Sequence, residues 1–240
     1  MNTKYLNIYN EIAGNIEKGE IKPNTKLPSE NELVKKYSVS RDTIRKALNL
    51  LEQYGYIQKI RGKGSYVIDI NRFDFPVSGL VSFKELSEKM GMKANTILEE
   101  LQIIKPDKYL MNQLKIKEND DIWKVVRIRE IDGKKIILDK DFFNKSFVPS
   151  LTEDICKDSI YEYIENKLGL CISFSKKEIT VENATKEDKK YLDLQGYNMV
   201  VVVKSHIYLD DANLFQYNES RHRPDKFKFV DFARRKKLME

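Results

Sequence analysis

The sequence contains few of the residues on which metal sites, disulfide scaffolds and membrane spans depend. Of its 240 residues, only two are cysteine and two are histidine. Cys156 and Cys171 do not have metal-ligand spacing, and no cluster of His, Cys and carboxylate residues accompanies them, so no metal site is expected. The longest aliphatic run, residues 200–203, is far too short to span a bilayer. With no apolar signal region, we expect a reduced, cytoplasmic protein without a membrane partner.

Basic residues exceed acidic ones, and much of this excess lies in the first third of the chain. The formal net charge is +6 at pH 7. Residues 1–69 contain 12 Lys and Arg against 8 Asp and Glu, which gives this segment a charge of +4. Such a segment suits a polyanionic partner. The 41% hydrophobic content is enough to bury the core of one large domain or two ordinary ones.

Residues 27–67 have the pattern of a winged helix-turn-helix. Ser29, followed three residues later by Glu32, is typical of the capping box that begins a helix. Ser40 caps the next helix, in which apolar residues recur at helical spacing. This spacing predicts one buried stripe, formed by Ile44, Ala47, Leu48 and Leu51.

The exposed face of that third helix and the hairpin after it carry the residues that would read DNA. Arg41 and Arg45 project from the helix, and an arginine can donate two hydrogen bonds to guanine in the major groove. Strands predicted at 56–60 and 65–70 are joined by RGKG, whose glycines allow the backbone to approach a phosphate closely. An ordinary solvated surface could also carry such arginines. The two predicted helices and the hairpin follow one another at the spacing of a winged helix-turn-helix, however, and this favours DNA recognition.

These motifs resemble the winged head of the GntR family of bacterial transcription regulators. The resemblance rests on LPSEN, SRDTIRKAL and the RGKG wing, although many family members have Arg at the position of Asn31. It implies a homodimeric repressor that binds double-stranded, palindromic operator DNA. The residues that it assigns to DNA binding are Ser29, Glu30, Asn31, Ser40, Arg41, Thr43, Arg45, Arg61, Gly62, Lys63 and Gly64.

The rest of the chain is predicted to form a second domain of different character. Residues 71–77 (NRFDFPV) break all periodicity and are interpreted as a linker between a DNA-binding domain at 1–70 and an effector-binding domain at 78–235. The overall fold class is therefore α+β. Helices are predicted at 5–18, 81–90, 106–114, 159–168 and 185–192, and strands at 96–104, 122–131, 135–143, 172–181, 199–209, 214–223 and 226–232, before a basic tail at 234–237.

This second part resembles the effector domain of the HutC subfamily, an antiparallel-sheet domain with a chorismate-lyase-like fold. The motifs include GLVSFKEL, DIWKVVRIREIDG, ILDKDFF, DSIYEYIE, FQYNESRHR and FKFVDFARR, and they are most similar to those of repressors of trehalose-utilisation genes. That resemblance implies trehalose 6-phosphate as the effector and no cofactor. Ser82 is a further candidate, because a helix is predicted to begin there and its free N–H groups would favour an anion. The ligand-binding positions that the resemblance implies are Phe83, Lys84, Arg127, Arg129, Asp139, Ser159, Tyr161, Gln216 and His222.

The residues themselves support a phosphate clamp. Arg127 and Arg129 are two apart on a strand, so both guanidinium groups leave the same face, which also carries Trp123 and Val125. Two surface arginines are the alternative, just as Ser82 and Ser159 could be simple helix caps. If the hairpin loop has three residues, Asp139 lies on the same face as the arginines. If it is a two-residue Asp132-Gly133 turn, Asp139 lies on the opposite face, and the pattern leaves both open.

The aromatic residues, the function class and the effector each allow a second interpretation. Tyr208, Phe215 and Tyr217 could stack on sugar rings, although aromatic residues in strands more often belong to the core. A lyase-like enzyme is a rival class, but the sequence has no nucleophile–base motif, so no catalytic residues are predicted. The effector could also be an amino-sugar phosphate or a histidine-pathway metabolite. Residues 200–203 and the last strand are candidates for the dimer contact.

Overall fold

The computed structural model describes residues 4–68 and 80–229, which form two compact units. The predicted linker at 71–77, both domain boundaries beside it and the basic tail at 234–237 lie outside the described residues. The ends of the strands predicted at 65–70 and 226–232 also lie outside them.

The described part of the first unit, residues 4–68, consists of three helices and a two-stranded hairpin. Residues 41–53 form a helix because Ser40 caps its start and its apolar stripe is buried at 2% exposure or less. This stripe packs against Ile8 and Ile12 of the first helix. The elements are α1 (Lys4–Glu17), α2 (Glu30–Tyr37), α3 (Arg41–Gln53), β1 (Ile57–Ile60) and β2 (Gly64–Val67).

The second unit is a six-stranded sheet with helices on both faces. Every pair of neighbouring strands is antiparallel, in the order β3-β4-β5-β8-β7-β6, which confirms the predicted α+β class. The short helix α6 was not predicted. The elements are α4 (Phe83–Lys89), β3 (Ala94–Ile104), α5 (Lys108–Leu114), β4 (Ile122–Ile131), β5 (Lys134–Asn144), α6 (Glu153–Lys157), α7 (Ile160–Asn166), β6 (Ile172–Asn183), α8 (Lys186–Tyr191), β7 (Met199–Leu209) and β8 (Leu214–His222).

The two faces of the sheet bury different clusters. On the first face, Val125 and Phe143 pack with Cys156 of α6 and Ile160 of α7. On the second face, α5 covers one cluster through Leu110 and Leu114, and the segment around α8 covers another. Side chains alternate between the faces along a strand, so every second residue of β4, β5 and β8 shares the first face.

A β-bulge decides which face Asp139 occupies. The β4–β5 turn is the two-residue Asp132-Gly133 turn, and both residues have positive φ, 51° and 72°. Arg129 pairs with Ile137 and Glu130 with Lys135, so one extra residue enters β5. The bulge restores the pairing of Arg127 with Asp139. The two-residue turn is therefore present, but its expected consequence for Asp139 was wrong.

One expectation about the strands needs correction, and one stays a prediction. The last strand predicted at 226–232 does not form over its described part, because a 3₁₀ turn (Pro224–Lys226) ends the sheet and residues 227–229 are not in a strand. Residues 200–203 lie in β7, which is hydrogen-bonded to β8 on one side and β6 on the other. Both edges of this segment are paired within the sheet, and its part in a dimer contact stays a prediction.

A buried ionic cluster fixes α8 to the sheet. Asp188 is fully buried, caps the helix start through Thr185 and accepts two hydrogen bonds from Arg221, at 2.8 and 3.0 Å. Arg221 also contacts Glu182 and Glu219. Because a buried charge without its partner is costly, this cluster is expected to contribute to the stability of the second unit.

We predict that Asp188→Ala lowers the free energy of unfolding by about 3 kcal/mol, because it leaves the Arg221 guanidinium buried with fewer partners. Urea unfolding monitored by circular dichroism measures the change. The matched control is Lys189→Ala, on the exposed side of the same helix, for which a change within about 0.5 kcal/mol is expected. Equal stability of the two variants would contradict this role for the cluster.

Candidate functional sites

The predicted DNA-reading residues of α2 and α3 lie side by side at the starts of these helices. Arg41 donates from Nη2 to the side-chain oxygen of Asn31 at 2.7 Å, and Arg45 donates from Nε to Glu30 at 3.0 Å. All four side chains are exposed or half-buried. Contacts of this kind are worth about 0–1 kcal/mol, so DNA can replace them at little cost. Asn31 therefore accepts a hydrogen bond from Arg41 in this structure.

The other predicted helix residues shape the backbone at these starts. Ser29 accepts a hydrogen bond from the Glu32 amide, and Glu32 accepts one from the Ser29 amide at 2.7 Å, so the predicted capping box is present. Ser40 accepts from the amide of Thr43 at 3.2 Å, and their hydroxyls are 2.9 Å apart. The predicted residues Ser29, Ser40 and Thr43 thus fix the starts of the two helices, where free N–H groups favour an anion such as a phosphate.

The wing tip is exposed and its glycines have the backbone conformation that the motif requires. Gly62 has φ 75° and Gly64 has φ 107°, and a Cβ on Gly64 would lie 2.9 Å from Cε of Lys26. Arg61 and Lys63 are exposed beside them. Within the described residues, no hydrogen bond or ion pair joins this tip to the predicted helix residues. The helix and wing residues therefore form two separate candidate contacts with DNA.

The two arginines of the predicted clamp are buried in the second unit. Arg127 is 7% exposed and Arg129 is 3% exposed, which excludes the surface alternative. Arg127 forms an ion pair with Asp141 at 2.6 Å, and Arg129 forms one with Asp139 at 2.7 Å. Asp139 faces the arginines because of the β5 bulge. The two cations are therefore compensated by carboxylates of the protein itself.

A hydrogen-bond chain joins Arg127 to β8 and α7. Asp141 accepts from the side-chain amides of Gln216 and Asn218 at 2.8 and 2.9 Å. Gln216 in turn accepts from the hydroxyl of Tyr161 at 3.0 Å. Burial raises the pKa of Tyr161 well above its ordinary value, so the hydroxyl stays protonated and donates. Two residues of β8 thus bind Asp141 directly, and Tyr161 of α7 is joined to it through Gln216.

A second chain starts at Arg129. Its Nη1 donates to the hydroxyl of Thr96 at 2.8 Å, and its guanidinium lies 4.6 Å from the ring centroid of Phe83. Its partner Asp139 also accepts from Ser220 at 2.5 Å. Burial disfavours the charge on Asp139, but the guanidinium groups of Arg129 and Arg127 outweigh it and hold its pKa below the ordinary value. Asp139 is therefore ionised at neutral pH.

His222 completes this second chain. Its Nε2 is 3.0 Å from the Ser220 hydroxyl, and that hydroxyl donates its proton to Asp139, so Nε2 must carry the hydrogen of the neutral ring. Burial lowers the pKa of His222 to about 4, against the opposing charge of Asp139. At neutral pH, His222 is an uncharged hydrogen-bond donor.

Lys84 lies at the start of α4, directly after the Phe83 ring that covers Arg129. Its ammonium forms ion pairs with Asp158 at 2.9 Å and Glu162 at 2.8 Å, which flank Ser159 and Tyr161 at the start of α7. These hydrogen bonds raise the pKa of Lys84. A phosphate that recruits Lys84 must compete with both carboxylates, but the pairs are partly exposed and their energy is small.

Ser82 and Ser159 are both helix caps. Ser82 accepts from the Glu85 amide at 3.2 Å and takes part in a capping box. Ser159, which is 6% exposed, accepts from the Glu162 amide at 3.2 Å. The capping role that the sequence left open for both residues is thus confirmed. A hydroxyl that accepts from an amide can still donate its own proton, so this role is compatible with a ligand contact.

The charges around the clamp nearly balance. The carboxylates outnumber the cations by one, so a phosphate must take over hydrogen bonds rather than simply neutralise charge. Nε of Arg127 is the buried side-chain nitrogen that, among the described residues, has no hydrogen-bond partner. The cations are Lys84, Arg127 and Arg129, and the carboxylates are Asp139, Asp141, Asp158 and Glu162.

The structure adds residues that the sequence prediction missed. Asp141, Asn218 and Ser220 lie on the same face as the predicted residues. Asp141 and Ser220 hydrogen-bond to predicted residues, and Asn218 hydrogen-bonds to Asp141. A period-two count along β5 and β8 would have found all three, because they lie between or beside predicted positions. Thr96 had no such signal, since its approach to Arg129 depends on the pairing of β3 with β4.

The three aromatic candidates are not available to a sugar in this structure. Tyr217 is fully buried on the second face of the sheet, where it contacts Tyr109. Phe215 is fully buried in the cluster on the first face. Tyr208 stacks on Phe174 with ring centroids 4.6 Å apart. A core position is therefore confirmed for Phe215 and Tyr217, and Tyr208 is engaged by another ring.

The described residues contain no helix that is both long and apolar enough to cross a membrane. A group of three or more side chains suited to a metal ion is also not found within residues 4–68 and 80–229.

Comparison with known proteins identifies the family of both units. Residues 4–67 match the bacterial regulatory proteins of the gntR family, and residues 89–228 match the UTRA domain. The chain belongs to the GntR family. It is 53% identical to the HTH-type transcriptional regulator TreR of Bacillus subtilis (strain 168) over 234 residues, and this match covers 98% of each of the two chains. The predicted family and its HutC-type effector domain are confirmed.

Solved structures show the same architecture. The possible transcriptional regulator YydK from Bacillus subtilis superposes with a TM-score of 0.81 at 31% identity and covers 96% of this chain and 99% of that chain. The effector-binding domain of the B. subtilis trehalose repressor gives a TM-score of 0.55 at 52% identity, over 60% of this chain and 99% of that domain. This chain is therefore a DNA-binding transcription regulator with a small-molecule effector domain, not an enzyme.

The buried His222 predicts a distinct pH dependence of stability. As pH falls below 6.5, the unfolded chain protonates this ring, whereas the folded chain does so only near pH 4. Folding therefore loses about 1.4 kcal/mol per pH unit within this window through His222. We expect His222→Gln to flatten the fall in stability between pH 6.5 and 4.

Urea unfolding at a series of pH values measures this slope. His206→Gln is the comparison variant, because His206 is half-buried and contacts Gln113 on the second face. Burial lowers the pKa of His206 by less than that of His222, so its substitution should flatten the slope less. Identical slopes for wild type and His222→Gln would contradict the assignment of a neutral, buried ring.

Proposed function

We propose that this protein is a repressor of trehalose-utilisation genes that leaves its operator when trehalose 6-phosphate binds the second unit. The observation that carries the proposal is the buried pair Arg127 and Arg129, within a chain that is 53% identical to the regulator TreR. Buried arginines suit a phosphate because their planar groups can bind its oxygens with two hydrogen bonds each.

The hydrogen-bond geometry explains how a phosphate could be accommodated. Nε of Arg127 is unpartnered, and Nη2 of Arg129 forms no hydrogen bond to the described residues. These donors can bind phosphate oxygens while the other guanidinium nitrogens stay paired with Asp139, Asp141, Thr96 and the Cys156 carbonyl. Lys84 would add a third cation if it leaves its exposed carboxylates. A neutral sugar would gain none of these charge-assisted bonds, so phosphate should dominate the affinity.

Repression requires the DNA-reading units to act in pairs. We propose a homodimer that binds a palindromic operator, because a two-fold protein matches two half-sites in the major groove. Release requires that the ligand prefer a conformation with lower operator affinity, since only differential binding shifts such an equilibrium. The alternative to trehalose 6-phosphate as the effector is another sugar phosphate, such as an amino-sugar phosphate.

We predict that Arg41→Ala or Arg45→Ala abolishes specific operator binding and leaves the fold unchanged. Each removes a contact worth about 1–3 kcal/mol per half-site, and the loss counts twice in a dimer. Footprinting on an operator selected by the wild type is the measurement. Lys35→Ala, an exposed cation near the end of α2, is the matched control. Protection by Arg41→Ala or Arg45→Ala at the wild-type concentration would refute the assignment.

We further predict that Arg129→Lys or Arg127→Lys binds the operator normally and requires at least tenfold more trehalose 6-phosphate for release. Lysine keeps a cation beside the carboxylates but cannot offer the planar pair of donors. Fluorescence anisotropy of labelled operator measures the half-maximal ligand concentration. Lys176→Ala removes an exposed cation from β6 and serves as control. Release of both clamp variants at the wild-type concentration would place the phosphate site elsewhere.

A further inference from the structure

A row of polar side chains extends from the clamp across the sheet to its edge. Asp141 on β5 pairs with Asn218 on β8, which pairs with Ser205 on β7, which pairs with Lys177 on β6. Directly paired residues point to the same face, so all four share the face of Arg127. Asn218 also donates to Asp141 at 2.9 Å. The row is therefore continuous with the Arg127 side of the clamp.

The length of this row exceeds what one sugar ring needs. Neighbouring strands are about 4.8 Å apart, so the three intervals from Asp141 to Lys177 span roughly 14 Å. A monosaccharide phosphate bound at the arginines would cover only the first part of the row. Two linked rings would reach the strands β7 and β6.

The adjacent row on the same face has a different character. It runs from Arg127 through Asp139 and Ser220 to Val203 and Ile179, which are 7% and 37% exposed. The β7–β6 end of this face thus offers polar groups in one row and apolar groups in the next. A pyranose ring presents the same combination, with hydroxyls at its rim and C–H groups on its faces.

The polar row has the hydrogen-bonding groups that sugar hydroxyls require. Asn218 and Ser205 can each donate and accept, and Lys177 donates. Ser205 is 5% exposed, while Asn218 and Lys177 are half-buried. Burial lowers the pKa of Lys177, in keeping with its half-buried position. Shielded hydrogen bonds discriminate more strongly than exposed ones, because an unsatisfied buried group is costly.

We propose that Asn218, Ser205 and Lys177 form a subsite for the second sugar ring of a disaccharide phosphate, with Lys177 as the residue that distinguishes disaccharide from monosaccharide phosphates. This inference rests on the proposed function, because it places the phosphate at Arg127 and Arg129. The subsite explains how one clamp can serve effectors of different length. The arginines of β4 bind the phosphate, and the residues of β7 and β6 distinguish ligands with one sugar ring from those with two.

The test compares two ligands on the full-length protein by isothermal titration calorimetry. Trehalose 6-phosphate is the disaccharide probe and glucose 6-phosphate the monosaccharide probe. We expect Lys177→Met to raise Kd for trehalose 6-phosphate at least tenfold and to change Kd for glucose 6-phosphate less than twofold. Lys176→Met, the neighbouring residue that points to the second face, should change neither. Lys177→Arg should restore part of the affinity, and thermal unfolding verifies that each variant is folded.

The outcomes separate the two proposals. If the wild type binds trehalose 6-phosphate and Lys177→Met leaves the ratio of the two Kd values unchanged, the subsite is overturned and the proposed effector stands. If the wild type binds neither trehalose 6-phosphate nor glucose 6-phosphate, the proposed function fails and the subsite fails with it. A tenfold loss confined to the disaccharide supports both.

Discussion

The effector unit depends on two buried ion pairs, Arg127 with Asp141 and Arg129 with Asp139, at 2.6 and 2.7 Å. A guanidinium buried without a partner is unfavourable, so removal of either carboxylate is expected to destabilise the unit. The same carboxylates limit how a phosphate can bind, because the local charge is already balanced. Recognition then depends on unused N–H groups and on the recruitment of Lys84. The pairs thus stabilise the site and set its preference for an anion with several acceptor oxygens.

The sequence was sufficient for the elements whose signals are local. The capping box at Ser29, the apolar stripe of α3 and the hairpin at Asp132-Gly133 all form as predicted. The strand order and the inner position of residues 200–203 were not predictable, because they depend on pairing between distant strands. The strand expected at 226–232 was wrong in its described part, where Pro224 starts a 3₁₀ turn instead.

The candidate site was predicted in composition but not in geometry. The side of the sheet that carries Asp139 depends on one bulged residue in β5, which no periodicity reveals. Period two along β8 would have marked Asn218 and Ser220, but their contacts with the carboxylates depend on the β5–β8 register. The resemblance to known regulators identified residues such as Arg127 and His222, whereas the structure identified the residues that connect them by hydrogen bonds, such as Asp141 and Ser220. The same holds for the DNA-reading unit, where the contact of Asn31 with Arg41 joins two motifs that the sequence presents separately.

Control of DNA binding by a phosphorylated disaccharide is the central claim for this chain. The most direct measurement titrates the complex of wild-type protein and a selected operator with trehalose 6-phosphate and, in parallel, with trehalose, while anisotropy reports the bound DNA. We expect full release by trehalose 6-phosphate and no release by trehalose at a hundredfold higher concentration, about 2.7 kcal/mol of discrimination. Release by both sugars at similar concentrations would contradict the claim, because the buried arginines would then have no part in recognition.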